Sequence, residues 1–344
     1  MKHIERFLAT VERKPVDRPA AWLGLPTDEA MPGLRSCFGA DDIAAVKKII
    51  DDDIWPIEVP YHCPPANHIA CAFDFAKKNK AGYKERTLTA PGFFEDIDDP
   101  ARIDEFKWPD PVEHMNRDEC RKVVDASPPE YAVMGVMWSA HFQDACAAFG
   151  METALMRMIE APDLFQAVID RITEFYLKAN SIFYEACGKR MHAVLIGNDF
   201  GSQTSLMLSP GLLRRFVFPG TTKLVEQAKA YGYKVVHHSC GAIRDVIPDL
   251  IALGVDVIHP VQALASGMNP AGLKKDFGDR ISFCGGIDAQ NLLVRGTPEE
   301  VYAKAMELRR IFPTGFIISP SHEAILPDIP VNNIKALFEA CVKM

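Results

Sequence analysis

Short apolar runs rich in valine and isoleucine recur along this chain, and helical patterns lie between them. A run of four to eight such residues reads as a buried strand, whereas an amphipathic helix repeats every 3.6 residues. The runs Ala20–Leu25, Ile54–Val59, Tyr131–Val136, Ala193–Asn198, Lys234–Ser239, Val255–Pro260, Ile281–Cys284 and Phe316–Ser319 all qualify. The intervening helices carry local start signals. Ser209-Pro210 is an N-cap followed by an N1 proline, and it predicts a helix to about Tyr231. Thr297-Pro298-Glu299-Glu300 is a capping box, which predicts a helix ending near Arg310. A long helix is expected near Pro162–Cys187, and Val331–Val342 closes the chain. Strands that alternate with helices in this way predict an α/β fold, a (β/α)8 TIM barrel. A doubly wound sheet would carry a glycine-rich phosphate fingerprint after its first strand, and none is present. Residues 60–130 fit the pattern least. They hold Pro64-Pro65, Pro91-Gly92, Pro109-Asp110-Pro111 and an extended segment around Arg86–Thr89. They read as an insertion after strand two, with a small hairpin, covering the barrel mouth. No repeat or low-complexity linker divides the 344 residues, so one domain is expected.

Composition narrows the function. The net charge of −8 argues against a nucleic-acid surface and against a polybasic membrane patch. The N-terminal residues show no apolar segment of signal-peptide length, and no run approaches the ~20 residues of a membrane span. The nine cysteines are odd in number and scattered, which fits a reduced, cytoplasmic protein.

A barrel of this kind carries its chemistry at the C-terminal ends of its strands. Those ends read Asn198-Asp199, His238-Ser239-Cys240, His259-Pro260-Val261-Gln262, Cys284-Gly285-Gly286-Ile287-Asp288 and Ser319-Pro320-Ser321-His322-Glu323. His238 and Cys240 stand two residues apart, so they share one face of strand five. Imidazole and thiolate are both good ligands for zinc. Each residue also has a plain structural use. Asp199 could cap a turn, His259 could pack against the next strand, Cys284 could be buried, and Gly285-Gly286 could form a tight turn. His322 lies in a proline-bounded rim loop where core packing is a poor explanation. His238, Cys240 and His322 would leave a fourth position open, as in catalytic zinc sites. Cys284 is the competing third ligand.

The segment from Asn198-Asp199-Phe200-Gly201-Ser202-Gln203 onward resembles the uroporphyrinogen decarboxylase superfamily. The resemblance rests on His238-Ser239-Cys240-Gly241, Gly254-Val255-Asp256-Val257, Gly285-Gly286-Ile287-Asp288, Gly296-Thr297-Pro298-Glu299-Glu300, Ile318-Ser319-Pro320-Ser321-His322 and Val331-Asn332-Asn333-Ile334. It covers the last ~150 residues well and implies a (β/α)8 barrel, in agreement with the pattern above. The family's decarboxylases are metal-free and grip tetrapyrrole carboxylates with arginines that follow an Arg-Pro and Trp. Arg18-Pro19-Ala20-Ala21-Trp22 is similar to that start, but no arginine follows between Pro19 and Leu34. The other branch consists of zinc-dependent methyltransferases that exchange methyl groups with a corrinoid protein. They carry a His-x-Cys pair at strand five and a Cys near the last strand, and here His238 and Cys240 match while His322 stands in the last position. The resemblance therefore implies a methyltransferase with zinc on His238, Cys240 and His322, and with Asp199 and Glu323 as acid/base or orienting groups. Its partners would be a small methyl donor, or a thiol or folate acceptor, and a separate corrinoid protein, since no Asp-x-His-x-x-Gly cobalamin signature is present. A metal-free decarboxylase and a catalytically silent binding barrel are the alternatives.

Overall fold

The computed structural model describes residues 1–77 and 87–342. Eight parallel strands form one sheet: β1 (Ala20–Ala21), β2 (Ile54–Glu58), β3 (Ala132–Trp138), β4 (Ala193–Gly197), β5 (Lys234–His238), β6 (Val257–Val261), β7 (Ser282–Ile287) and β8 (Phe316–Pro320). Successive strands pair in order from β2 to β8, and β8 pairs with β1. This is the predicted (β/α)8 barrel. The period of two divides each strand between two cores. Val236 joins the barrel interior with Trp22, Ile54, Met134 and Leu195, while Val235 faces the outer layer of helices. Helix His3–Val11 lies across the bottom and sends Phe7 and Val11 into the interior.

The ring is not completed by a β1–β2 ladder. One backbone hydrogen bond and two carboxylates close that seam. Asp53 N–H donates to the Ala21 carbonyl at 2.9 Å, and Asp53 Oδ2 accepts Ala21 N–H at 2.9 Å. Asp52 Oδ2 accepts Leu23 N–H at 3.1 Å. Strand one is therefore shorter than the run Ala20–Leu25 predicts. Gly24, at φ 94°, turns the chain, and Leu25–Pro26 pairs instead with Ala324–Ile325 in a separate two-stranded sheet. Strands β3 and β7 run past their expected ends, because register with their neighbours and not local composition ends a strand.

The capping box at Thr297 is present, and its helix spans Pro298–Ile311. The helix Pro162–Cys187 matches expectation. The expected helix from Ser209 is interrupted by a π-turn at Leu213–Val217. Pro219 has no N–H to give the preceding turn, and just before it the Val217 carbonyl accepts from His141 Nε2 at 3.0 Å.

Between β2 and β3, Phe73, Phe75, Phe94, Phe106 and Trp108 form an aromatic cluster against Phe149 and Phe175 of the helices that follow β3. Ala76 and Gly92 make one antiparallel bridge, where a hairpin is expected. Of the segment read as extended, Arg86 lies outside the described residues. Residues 87–89 form a turn instead, with Ala90 N–H donating to Thr87 Oγ1 at 3.1 Å.

Candidate metal centre

Register assembles the site. Gly197 of β4 lies opposite His238 of β5, and His238 lies opposite His259 of β6. Two residues beyond Gly197, Asp199 reaches the level of Cys240, whose N–H donates to Asp199 Oδ1 at 2.8 Å. Ser239 Oγ accepts Phe200 N–H at 2.9 Å and ties the same two loops. Gly241, at φ 81°, allows the chain to turn where a Cβ would lie 2.4 Å from the Ser202 carbonyl oxygen. On the far side, Glu323 is pinned by its carbonyl, which accepts Leu25 N–H at 2.6 Å.

His238 sits at the centre, almost wholly buried. Its Nε2 lies 3.5 Å from Cys240 Sγ and 3.3 Å from Asp199 Oδ1. Its Nδ1 lies 3.1 Å from His259 Nδ1 and 3.5 Å from Glu323 Oε2. The Trp138 ring stands edge-on to the imidazole, with centroids 5.5 Å apart. Trp138 and Ser139 both have left-handed backbone, at φ 53° and 50°. For a bulky residue that conformation costs energy, and such outliers gather at functional sites. The sequence offered no signal for Trp138, because neither its backbone conformation nor the strand it faces is local information.

The electrostatics favour a positive charge at His238. Burial pushes its imidazole down, yet the Asp199 carboxylate, the Cys240 thiol and Glu323 outweigh that and hold it up to about 10. Burial likewise opposes ionisation of Asp199, but His238 and the Cys240 N–H bring it down to about 2. Burial raises the Cys240 thiol, with His238 pulling the other way.

The donor set passes a test of fit for zinc. Bonds of ~2.0–2.3 Å in a tetrahedron place ligand atoms ~3.3–3.7 Å apart. The distances from His238 Nε2 to Cys240 and Asp199 fall at that spacing. Glu323 Oε2 is buried and has no hydrogen-bond partner among the described residues. Two groups of three side chains have their donor atoms mutually within 4.8 Å: Asp199, His238 and Cys240, and His238, His259 and Glu323. His322 is in neither group. It is half-exposed, its Nδ1 accepts Ala324 N–H at 3.1 Å, and it lies 3.6 Å from Glu323 Oε2. Cys284 is 1% exposed in the barrel interior, and burial drives its thiol up. A cavity of about 320 Å³ opens beside His322, lined by Gln203, Gln262, Asp288, Ser321 and Leu326 among others. Gln203 Nε2 donates to Gln262 Oε1 at 2.9 Å, and Gly241 N–H donates to the same oxygen at 3.0 Å, linking the cavity to the Cys240 loop.

The family model described as uroporphyrinogen decarboxylase matches residues 80–344. The chain belongs to this family. A curated relative, the methylated-thiol–coenzyme M methyltransferase of Methanosarcina mazei, is 24% identical over 288 residues, covering 80% of this chain and 69% of the relative. A solved structure of a methyltransferase from Methanosarcina mazei shares the fold, with a TM-score of 0.69 and 19% identity over 99% of this chain and 98% of that one. Among the described residues, no helix is long and apolar enough to cross a membrane.

Proposed function

We propose that this chain is a cytoplasmic zinc-dependent methyltransferase. It moves a methyl group between a small methylated substrate, or a thiol or folate acceptor, and the corrinoid of a separate protein docked over the barrel mouth. One observation carries the reading: a thiol, an imidazole and a carboxylate stand at ligand spacing at the ends of β4 and β5, in a chain similar to a methylated-thiol–coenzyme M methyltransferase.

His238 Nε2 and Cys240 Sγ would hold the zinc, with Asp199 as the third donor in this geometry and His322 beside the remaining position. Bound there, zinc supplies a Lewis acid that favours loss of a thiol proton or polarises an ether oxygen. The chain's own residues do the rest. Asp199, tied to the Cys240 N–H, holds the two loops in register. Glu323, buried with an oxygen to spare, takes or returns a proton as substrate enters. Trp138 walls His238 on one side, and the cavity beside His322 holds the small molecule.

The metal-free decarboxylase reading is not favoured. The carboxylate-gripping arginines of that branch follow the Arg-Pro, and here none stands between Pro19 and Leu34. Arg18 itself is buried, its Nη1 donating to Asp53 Oδ2 at 2.8 Å.

Metal analysis and a transfer assay test the proposal. Chain purified without chelator should hold about one zinc, and Cys240→Ser should lose most of it. Mixed with a reduced corrinoid protein and a methyl donor, the chain should change the cobalt spectrum as the methyl group arrives. A chain that stays metal-free when zinc is supplied, and that releases carbon dioxide from uroporphyrinogen, would overturn the reading.

A further inference from the structure

His238 presents a different neighbour to each ring nitrogen. The Nε2 edge faces Asp199 and Cys240, and the Nδ1 edge faces His259 Nδ1 at 3.1 Å. We propose that His259 is a positioning residue, which accepts a hydrogen bond from His238 Nδ1–H and so fixes the tautomer that leaves Nε2 open to metal. The inference rests on the reading above, in which His238 is a ligand.

The argument is one of counting hydrogens. Two ring nitrogens 3.1 Å apart cannot each direct a hydrogen at the other, so one donates and the other accepts. With metal in place of the Nε2 proton, the His238 imidazole would carry hydrogen on one nitrogen only. The thiol and carboxylate that complete the donor set stand on the Nε2 side of His238, so its lone pair belongs there and its hydrogen on Nδ1. That hydrogen points to His259 Nδ1, with Glu323 Oε2 farther off at 3.5 Å.

His259 is placed to serve as a fixed acceptor. It is fully buried, lies opposite His238 in the β5–β6 register, and packs its ring against Trp22 with centroids 5.2 Å apart. Its Nε2 has no hydrogen-bond partner among the described residues, so the contact with His238 is the ring's one side-chain hydrogen bond among them. A histidine used only for packing would carry the cost of two unpaired polar nitrogens where an apolar ring would carry none. Metal-binding histidines commonly donate their second N–H to a carboxylate, a carbonyl or a water. Here a second histidine takes that role.

The test measures zinc affinity by competition with a chromophoric chelator. His259→Leu keeps the burial and removes the acceptor, and it should lose about 10–100-fold in affinity. His259→Gln restores an acceptor oxygen and should recover most of that loss. The cobalt-substituted His259→Leu protein should also show an altered visible spectrum, which a remote packing defect would not produce. Nitrogen-15 NMR of the zinc-loaded native chain should find His238 protonated at Nδ1, a measurement that does not depend on any variant folding. A folded His259→Leu protein with native affinity, or His238 protonated at Nε2, would overturn the inference. Failure of the native chain itself to bind zinc would instead sink the metal reading on which it rests.

Discussion

Asp53→Asn should destabilise the barrel by about 3–5 kcal/mol, the usual cost of removing one partner from a buried ion pair. The Asp53 carboxylate is fully buried where β1 and β2 fail to ladder. Its Oδ1 accepts Arg6 Nη1 at 2.6 Å and lies 2.9 Å from His3 Nδ1, while its Oδ2 accepts Arg18 Nη1 at 2.8 Å and Ala21 N–H at 2.9 Å. An asparagine of the same shape leaves two buried guanidinium groups facing a neutral amide. The loss is a large part of the ~5–15 kcal/mol that holds a typical domain folded. Urea unfolding followed by circular dichroism reads it directly. With a slope of about 3 kcal/mol per molar, the midpoint should fall by roughly 1–1.7 M. Asp17→Asn is the control. Asp17 also binds Arg6, but its side chain is 38% exposed, and it should cost about 1 kcal/mol or less. Acid supplies a second reading. Burial opposes ionisation of Asp53, but His3, Arg18, Arg6 and the Ala21 N–H together hold it below the usual carboxylate range. A depressed carboxylate contributes stability above its unfolded pKa and loses it as pH falls through the folded one. The gap between native and Asp53→Asn proteins should therefore persist at neutral pH and close in strong acid. A midpoint shift as small as that of Asp17→Asn, or a gap unchanged by acid, would refute the seam argument.

Asp199→Ala should weaken zinc binding strongly, and His322→Ala should weaken it less, as measured by chelator competition; the opposite order would make His322 the third ligand. Cys284→Ala should leave zinc content unchanged and cost about 1–2 kcal/mol of stability through lost packing. Gly24→Ala should impair folding and slow methyl transfer, because its Cβ would lie 2.3 Å from the Glu323 carbonyl oxygen and the backbone there is left-handed. Native transfer rates in a stable Gly24→Ala protein would show that Glu323 need not be held where it is.

What the sequence determined by itself was local. A period of two places His238 and Cys240 on one face of a strand, and that is legible in Val236-His237-His238-Ser239-Cys240 alone. The capping box at Thr297 and the uninterrupted helix Pro162–Cys187 were equally local, since propensity and caps act within a turn or two. The barrel followed from the alternation of strands and helices. Tertiary structure decided the rest. Asp199 meets His238 because β4 and β5 align Gly197 with His238, and His259 meets it because β6 aligns there too. Those pairs are 41 and 21 residues apart in sequence, and the face pattern of one strand narrows its register without naming the partner residue on the next. The same holds for the early end of β1, where the carboxylates of Asp52 and Asp53 take over from a neighbouring strand. It holds as well for Trp138, whose strained backbone is supported only by the packed barrel around it.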